Sequence, residues 1–186
     1  LYCSLLLFTA LYCSLLLLAA WCSLGVGDSG HFTDKGGESM TRSESKPSLR
    51  VGVSYDFRNP PDSGVSDQHL YAEILEQVKW LDDIGADLVW FTEHHFVDDG
   101  YLPSWVPVAA SMASVTKHVR FGTDICLMPF NHPIRLAEDL AVLDNLSGGR
   151  VDLGIGMGYA PHEFKGFGIP VPRRVSLMND GIEGLP

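Results

Sequence analysis

Cysteine is scarce in this sequence, and most of it lies at one end. Of four cysteines in 186 residues, Cys3, Cys13 and Cys22 fall within the first 22 positions, and only Cys126 lies beyond them. That distribution leaves no disulfide framework and no C-x-x-C zinc site in the bulk of the chain, and it suits a reducing compartment such as the cytoplasm. Basic residues are also few: 13 lysines and arginines stand against 23 acidic residues, a formal charge of −10. Binding to a phosphate backbone needs clustered cations that release counterions, so the balance argues against nucleic acid as a partner.

Charge is missing altogether from Leu1 to Gly27, where the heptapeptide LYCSLLL occurs twice, ten residues apart. The length suits a bilayer span or the apolar part of a signal sequence. The flanks do not: no Lys or Arg precedes the run, no Met opens it, and the first basic residue downstream is Lys35. Bulky Trp21 directly before Cys22 makes a poor lipoprotein cleavage site. Two readings stay open, upstream sequence read in frame with the start at Met40, or an export or anchor segment. Residues 28–48 are polar and rich in Gly and Ser, which reads as a linker. The expected division is a leader over 1–48 and a domain over 49–186.

What remains is ordinary globular sequence, 46% hydrophobic and 19% charged over the whole chain, enough for one domain with a real core. "LRVGVSYDF" (49–57) reads as a strand that ends in the breaker cluster "RNPPDSG". The next stretch carries Tyr71, Ile74, Leu75, Val78, Leu81 and Ile84 at helical spacing, with Ser66 or Asp67 as N-cap and Gly85 as the stop. "DLVWF" (87–91) is a short, continuously apolar strand of the kind covered on both faces. A second helix over "VPVAASMASVTKH", a third strand over 119–129 and a third helix with Leu136, Leu140, Leu143 and Leu146 on one side follow. "RVDLGIG" (150–156) makes the fourth strand, "MGYAPHEFKGFGIPVPRR" a long Gly/Pro loop, and "VSLMNDGIEG" the start of another helix. Strand and helix alternate, which predicts a parallel α/β architecture with its chemistry on the loops after the strands. Four βα units do not close an eight-stranded barrel, so the fourth strand is expected to offer an open edge.

Polar clusters fall where that architecture puts them. Glu93, His94 and His95 end the buried strand "DLVWF", and unpaired carboxylates and imidazoles are costly to bury. Glu93 and His94 therefore fit a general acid/base role as readily as a solvated rim. A metal site from Glu93, His94, His95, His132 and His162 is disfavoured, because adjacent histidines on an extended segment point to opposite sides and no H-E-x-x-H is present. His95 is expected to be packed or hydrogen-bonded outside the pocket. Gly154, Gly156 and Gly158 follow a strand, but a dinucleotide-binding G-x-G-x-x-G would need glycine where Tyr159 stands, with Pro161 next instead of a helix start.

Taken together, "FTEHHF", "GYLPS", "VRFGTDICLMPFNHPIRLAEDLAVLDNLSGGRVDLGIG" and "GYAPHEFKGFG" closely resemble the N-terminal half of the bacterial luciferase-like flavin-dependent monooxygenases, from about Leu49 to Ile182. The resemblance implies a (β/α)8 TIM barrel of which the first four βα units are present. It also implies a two-component system: a flavin reductase supplies reduced FMN, which reacts with O2 to oxygenate a small-molecule substrate. A homodimer is the family's usual assembly. Carried over by position, His94 is the histidine expected to act at the oxygen step, and Glu93 is the carboxylate beside it in the flavin pocket. Asp124-Ile125 is the place of a non-prolyl cis peptide beneath the flavin ring, and Gly156 and Met157 lie at its rim. Cys126 reads as a buried strand residue, not a nucleophile. One departure stands out: many relatives carry an arginine for the flavin phosphate where this chain has Met157. Methionine cannot make a charge-assisted bond to phosphate. The alternatives are an F420-dependent oxidoreductase of the same fold and an inactive fragment whose barrel cannot close.

Overall fold

The computed structural model describes residues 4–7, 17–21 and 49–185. β1 (Ser4–Leu7) pairs antiparallel with β2 (Leu17–Trp21), and β2 pairs antiparallel with β3 (Arg50–Tyr55). Parts of the apolar leader therefore add two strands beside β3, with β1 at the edge. Among the described residues no helix is long and apolar enough to cross a membrane. The candidate start at Met40, the junction at Cys22 and the linker over 28–48 lie outside the described residues.

From β3 onward strands and helices alternate. They are α1 (Asp67–Asp83), β4 (Leu88–Phe91), α2 (Trp105–Ala113), β5 (Arg120–Thr123), β6 (Cys126–Leu127), α3 (Pro133–Ser147), β7 (Val151–Asp152), β8 (Ile155–Gly156), α4 (Pro161–Gly166) and α5 (Arg174–Gly184). β3, β4, β5 and β7 lie parallel in that order, with Val53 opposite Val89, Val89 opposite Phe121 and Phe121 opposite Val151. β6 and β8 form a second, separate parallel pair. This is the parallel α/β fold the alternation predicts, with β7 at the end of the larger sheet. Phe91, Phe121, Val89 and Val78 are fully buried, as are Ala109 and Met112 of α2. Each large apolar side chain so buried contributes about 1.5–3 kcal/mol against the entropy of ordering the chain.

Several elements differ in detail from the sequence expectation. α1 buries Leu70, Ile74, Val78 and Leu81. Tyr71 sits one position round the helix and places its ring 4.7 Å from Phe57 at the margin of the core. Ile84 lies at the C-cap beyond the last turn and is exposed, as is Leu146 of α3. The expected third strand is interrupted between β5 and β6 by a cis peptide at Asp124-Ile125. The fourth is likewise split into β7 and β8. The Gly/Pro loop after it contains a helix: Pro161 occupies the first helical position of α4, where its missing N–H costs nothing.

Two charged side chains fasten the starting ends of the strands. Asp82, near the end of α1, accepts backbone N–H bonds from Lys117, His118 and Val119 at 2.7–2.8 Å, just before β5. Arg150 donates to the carbonyls of Ala113, Thr116, Val119 and Ser147 and to the Thr116 hydroxyl at 2.6–3.2 Å. These contacts join the ends of α2 and α3 to the starts of β5 and β7.

Burial pushes the Asp82 carboxyl up, but the three donated N–H bonds outweigh it and hold it below the usual carboxylate value. A carboxyl depressed in the folded state stabilises fully above its unfolded value, near 3.9, and loses that contribution as pH falls through the folded value. Replacing Asp82 with Asn should cost about 3 kcal/mol at pH 7, measured by urea denaturation. The penalty should shrink toward pH 3, and a pH-independent penalty would show that charge is not involved.

Candidate active site

β4 ends at Phe91, and the following residues turn across the C-terminal ends of the parallel strands. The backbone is held there first: Thr92 N donates to Tyr55 O and His94 N to Leu102 O, both at 3.2 Å. On that frame side chains alternate in direction, as extended backbone requires. Glu93 and His95 go to one side and His94 to the other.

His94 Nδ1 lies 2.8 Å from Glu163 Oε1. Its ring meets Tyr101 edge-on at 4.7 Å and 87°, and Tyr159 at 6.0 Å and 83°. The side chain keeps 26% of its surface open. Burial raises the Tyr101 phenol, partly offset by its hydrogen bond with Thr92, so it remains protonated beside the imidazole.

Glu93 is buried and points away from His94. Its Oε1 lies 2.9 Å from His95 Nε2, and its Oε2 accepts from Leu127 N at 3.0 Å. Sequence reading makes Glu93 the partner of His94; in the structure its partner is His95, because residues two apart share a side of the segment. His95 sits outside the open site, edge-on to Phe167 at 4.8 Å and Phe130 at 5.8 Å.

The carboxylate that does reach His94 is Glu163, on α4, a residue not singled out from the sequence. It is fully buried, and the same Oε1 also accepts from His95 N at 2.9 Å. Among the described residues its Oε2 has no hydrogen-bond partner. The signal was present in "APHEF": a proline followed by an acid two residues later marks the first turn of a helix. α4 lies close to the 92–96 segment because Gly166 has no side chain, and a Cβ there would stand 2.2 Å from the Phe96 ring.

Asp124 and Ile125 carry the cis peptide, with Asp124 N donating to Phe91 O at 2.7 Å. Ile125 reaches over Gly156, where a Cβ would be 1.8 Å from its Cδ1, so a larger residue there would displace the Ile125 side chain. Met157 follows, partly exposed and uncharged. The structure thus brings His94, the cis turn, Gly156 and Met157 to neighbouring strand ends, while Glu93 is drawn beneath them. Cys126 is buried, and burial first, then the neighbouring Glu93 charge, push its thiol up to about 12. Among the described residues no group of three or more His, Cys, Asp or Glu is placed to hold a metal ion.

The domain that carries these residues has recognisable relatives. The sequence model of the luciferase-like monooxygenases matches residues 49–185. The chain belongs to this family. It is 39% identical over 105 residues to the oxygenase component of the flavin-dependent trigonelline monooxygenase of Acinetobacter baylyi, covering 54% of this chain and 29% of that protein. Among solved structures, monooxygenase RslO1 from Streptomyces bottropensis superposes with a TM-score of 0.65 at 34% identity, over 69% of this chain and 39% of that one. An F420-dependent secondary alcohol dehydrogenase in complex with an F420–acetone adduct superposes at 0.53 and 25% identity, over 61% and 36%. The chain spans about a third or less of the curated relatives it matches.

In this luciferase-like chain Cys126 should be inert while the fold holds. With Cys3, Cys13 and Cys22 replaced by serine, the native protein should react with a thiol reagent at pH 8 at least about a hundredfold more slowly than in urea. Equal rates would show that Cys126 is open to solvent.

Proposed function

We propose that the chain supplies the His94 side of the active site in a flavin-dependent monooxygenase, with reduced FMN delivered by a separate reductase in the cytoplasm. The observation that carries this reading is the placement of His94. It is the partly open imidazole just after β4, edge-on to two tyrosines, and the Asp124-Ile125 turn follows the neighbouring strand β5. Parallel α/β folds put chemistry at this end of the sheet.

The residues present fit the ring portion of a flavin. Asp124 is exposed and Ile125 and Gly156 are only partly buried, so a flat ring could border the cis turn, with His94 after the neighbouring strand β4. Reduced flavin, when bound, would supply the electrons that activate O2 for insertion of one oxygen atom into the substrate. His94 would hold or move a proton at its open ring nitrogen, the one turned away from Glu163. Glu93 would support the site from below by fixing His95 and the backbone of Leu127. The fit is poorer at the phosphate end, where Met157 offers no charge.

A second reading, an F420-dependent oxidoreductase, rests on the structural likeness to such an enzyme. Anaerobic titration with reduced FMN and with reduced F420 separates the two, and tight binding of F420 alone would overturn the FMN reading.

In the full-length enzyme, His94→Ala should lower oxygenation by about a hundredfold or more while reduced flavin still binds. Unchanged turnover would remove His94 from the chemistry. Met157→Arg should tighten reduced FMN by about tenfold, equivalent to about 1.4 kcal/mol, as read from the dissociation constant. No change would mean that Met157 lies away from the phosphate.

A further inference from the structure

We propose that Glu163 is the positioning residue of this site: it keeps the ring proton of His94 on Nδ1, so that the free lone pair lies on Nε2. The proposal rests on the reading of His94 as the acid/base group and adds the residue that sets which of its nitrogens works.

The assignment follows from counting donors around one oxygen. A backbone N–H can only donate, so the 2.9 Å contact from His95 N marks Glu163 Oε1 as an acceptor. The second contact to the same atom, from His94 Nδ1 at 2.8 Å, is then either a ring N–H donating to a carboxylate or a carboxylic acid donating to a bare ring nitrogen. In the second case Oε1 would be a hydroxyl oxygen, a poorer acceptor for the His95 N–H than a carboxylate oxygen. If the acid proton sat on Oε2 instead, it would be a buried O–H with nothing to bond among the described residues. An ionised Glu163 leaves only a lone pair unmatched there, and both contacts to Oε1 become charge-assisted bonds, which offset part of the cost of burying the charge. Donation from Nδ1 puts the free lone pair on Nε2. Tyr101 and Tyr159 stand edge-on to the ring and restrict its turning, so the proton's position is set along with the ring's. When Nε2 takes up a proton, the resulting cation is already paired with Glu163.

The same oxygen also holds the backbone of His95, so the orientation of His94 and the seating of α4 are linked through one atom. A purely structural role for Glu163 would need the backbone bond alone. The ring contact is what makes the residue a determinant of tautomer.

The test is ring ¹⁵N NMR of the histidines in the full chain, recorded for the wild type, E163Q and E163L, with His94→Asn used to assign the signal. The wild type should show His94 with its proton on Nδ1. E163Q should keep that form, since an amide oxygen can accept the same two bonds. E163L should lose it in favour of the Nε2–H form that free imidazole prefers. A wild-type proton on Nε2, or an Nδ1–H form that survives in folded E163L, would overturn the proposal. Should E163L not fold, the wild-type tautomer decides alone. These spectra need no flavin, so they fail or succeed independently of oxygenation. If His94→Ala turned over normally while the tautomer stood as stated, the acid/base reading would fall and the hold of Glu163 on the ring would remain.

Discussion

The Arg150 guanidinium is the joint on which the arrangement of this sheet depends. It reaches four carbonyls and one hydroxyl from the ends of α2 and α3 and the approach to β5. It also lies 5.2 Å from the centre of the Phe121 ring in the core. No neutral side chain could satisfy so many acceptors at once, and lysine lacks the planar fork. Asp82 does the complementary work, accepting N–H groups from three consecutive residues. Opposite charges thus satisfy opposite backbone groups at the bottom of the sheet. Once the strand starts are fixed, the loops at the other end can carry polar residues without holding the fold together.

At that other end the polar residues are organised as two crossed pairs. Glu93 serves His95 and the backbone of Leu127, and Glu163 serves His94 and the backbone of His95. Each carboxylate therefore binds one imidazole and one backbone N–H from another part of the chain. The four residues form a continuous network from β6 through the β4 loop to α4. Low local dielectric strengthens such bonds and makes a missing partner costly, so the network specifies its own geometry. The aromatic group around His95, with Phe96, Phe130 and Phe167, keeps water from one side of it. His94, on the other side, keeps part of its surface open.

Much of this was legible in the sequence. The order of strands and helices followed from apolar periodicity and from Gly and Pro punctuation, because those signals act over a few residues. Ser66 caps α1 by accepting from His69 N, and α3 stops at Gly148, as local rules anticipate. The cis bond at Asp124-Ile125 was expected from the family resemblance alone, since nothing in local propensity marks it. The short helix α4 is hidden in the sequence, because its six residues carry too little periodicity to stand out among glycines and prolines. Tyr71 was placed in the core because periodicity defines a face only to within a residue, and packing against Phe57 decided the matter.

The sequence by itself determined the parallel α/β class, the position of the polar cluster at a strand end and the family to which the chain belongs. All of these are carried by residue order and spacing. Tertiary structure alone decided which carboxylate meets which imidazole. Glu163 stands 69 positions from His94 and Glu93 two from His95, and one-dimensional spacing favoured the nearer acid for the wrong ring. Alternation along the extended segment turned Glu93 away, and the packing of α4 over Phe96 brought Glu163 in. A hydrogen bond depends on direction and on distances of a few ångströms, and only the folded chain sets those for residues so far apart.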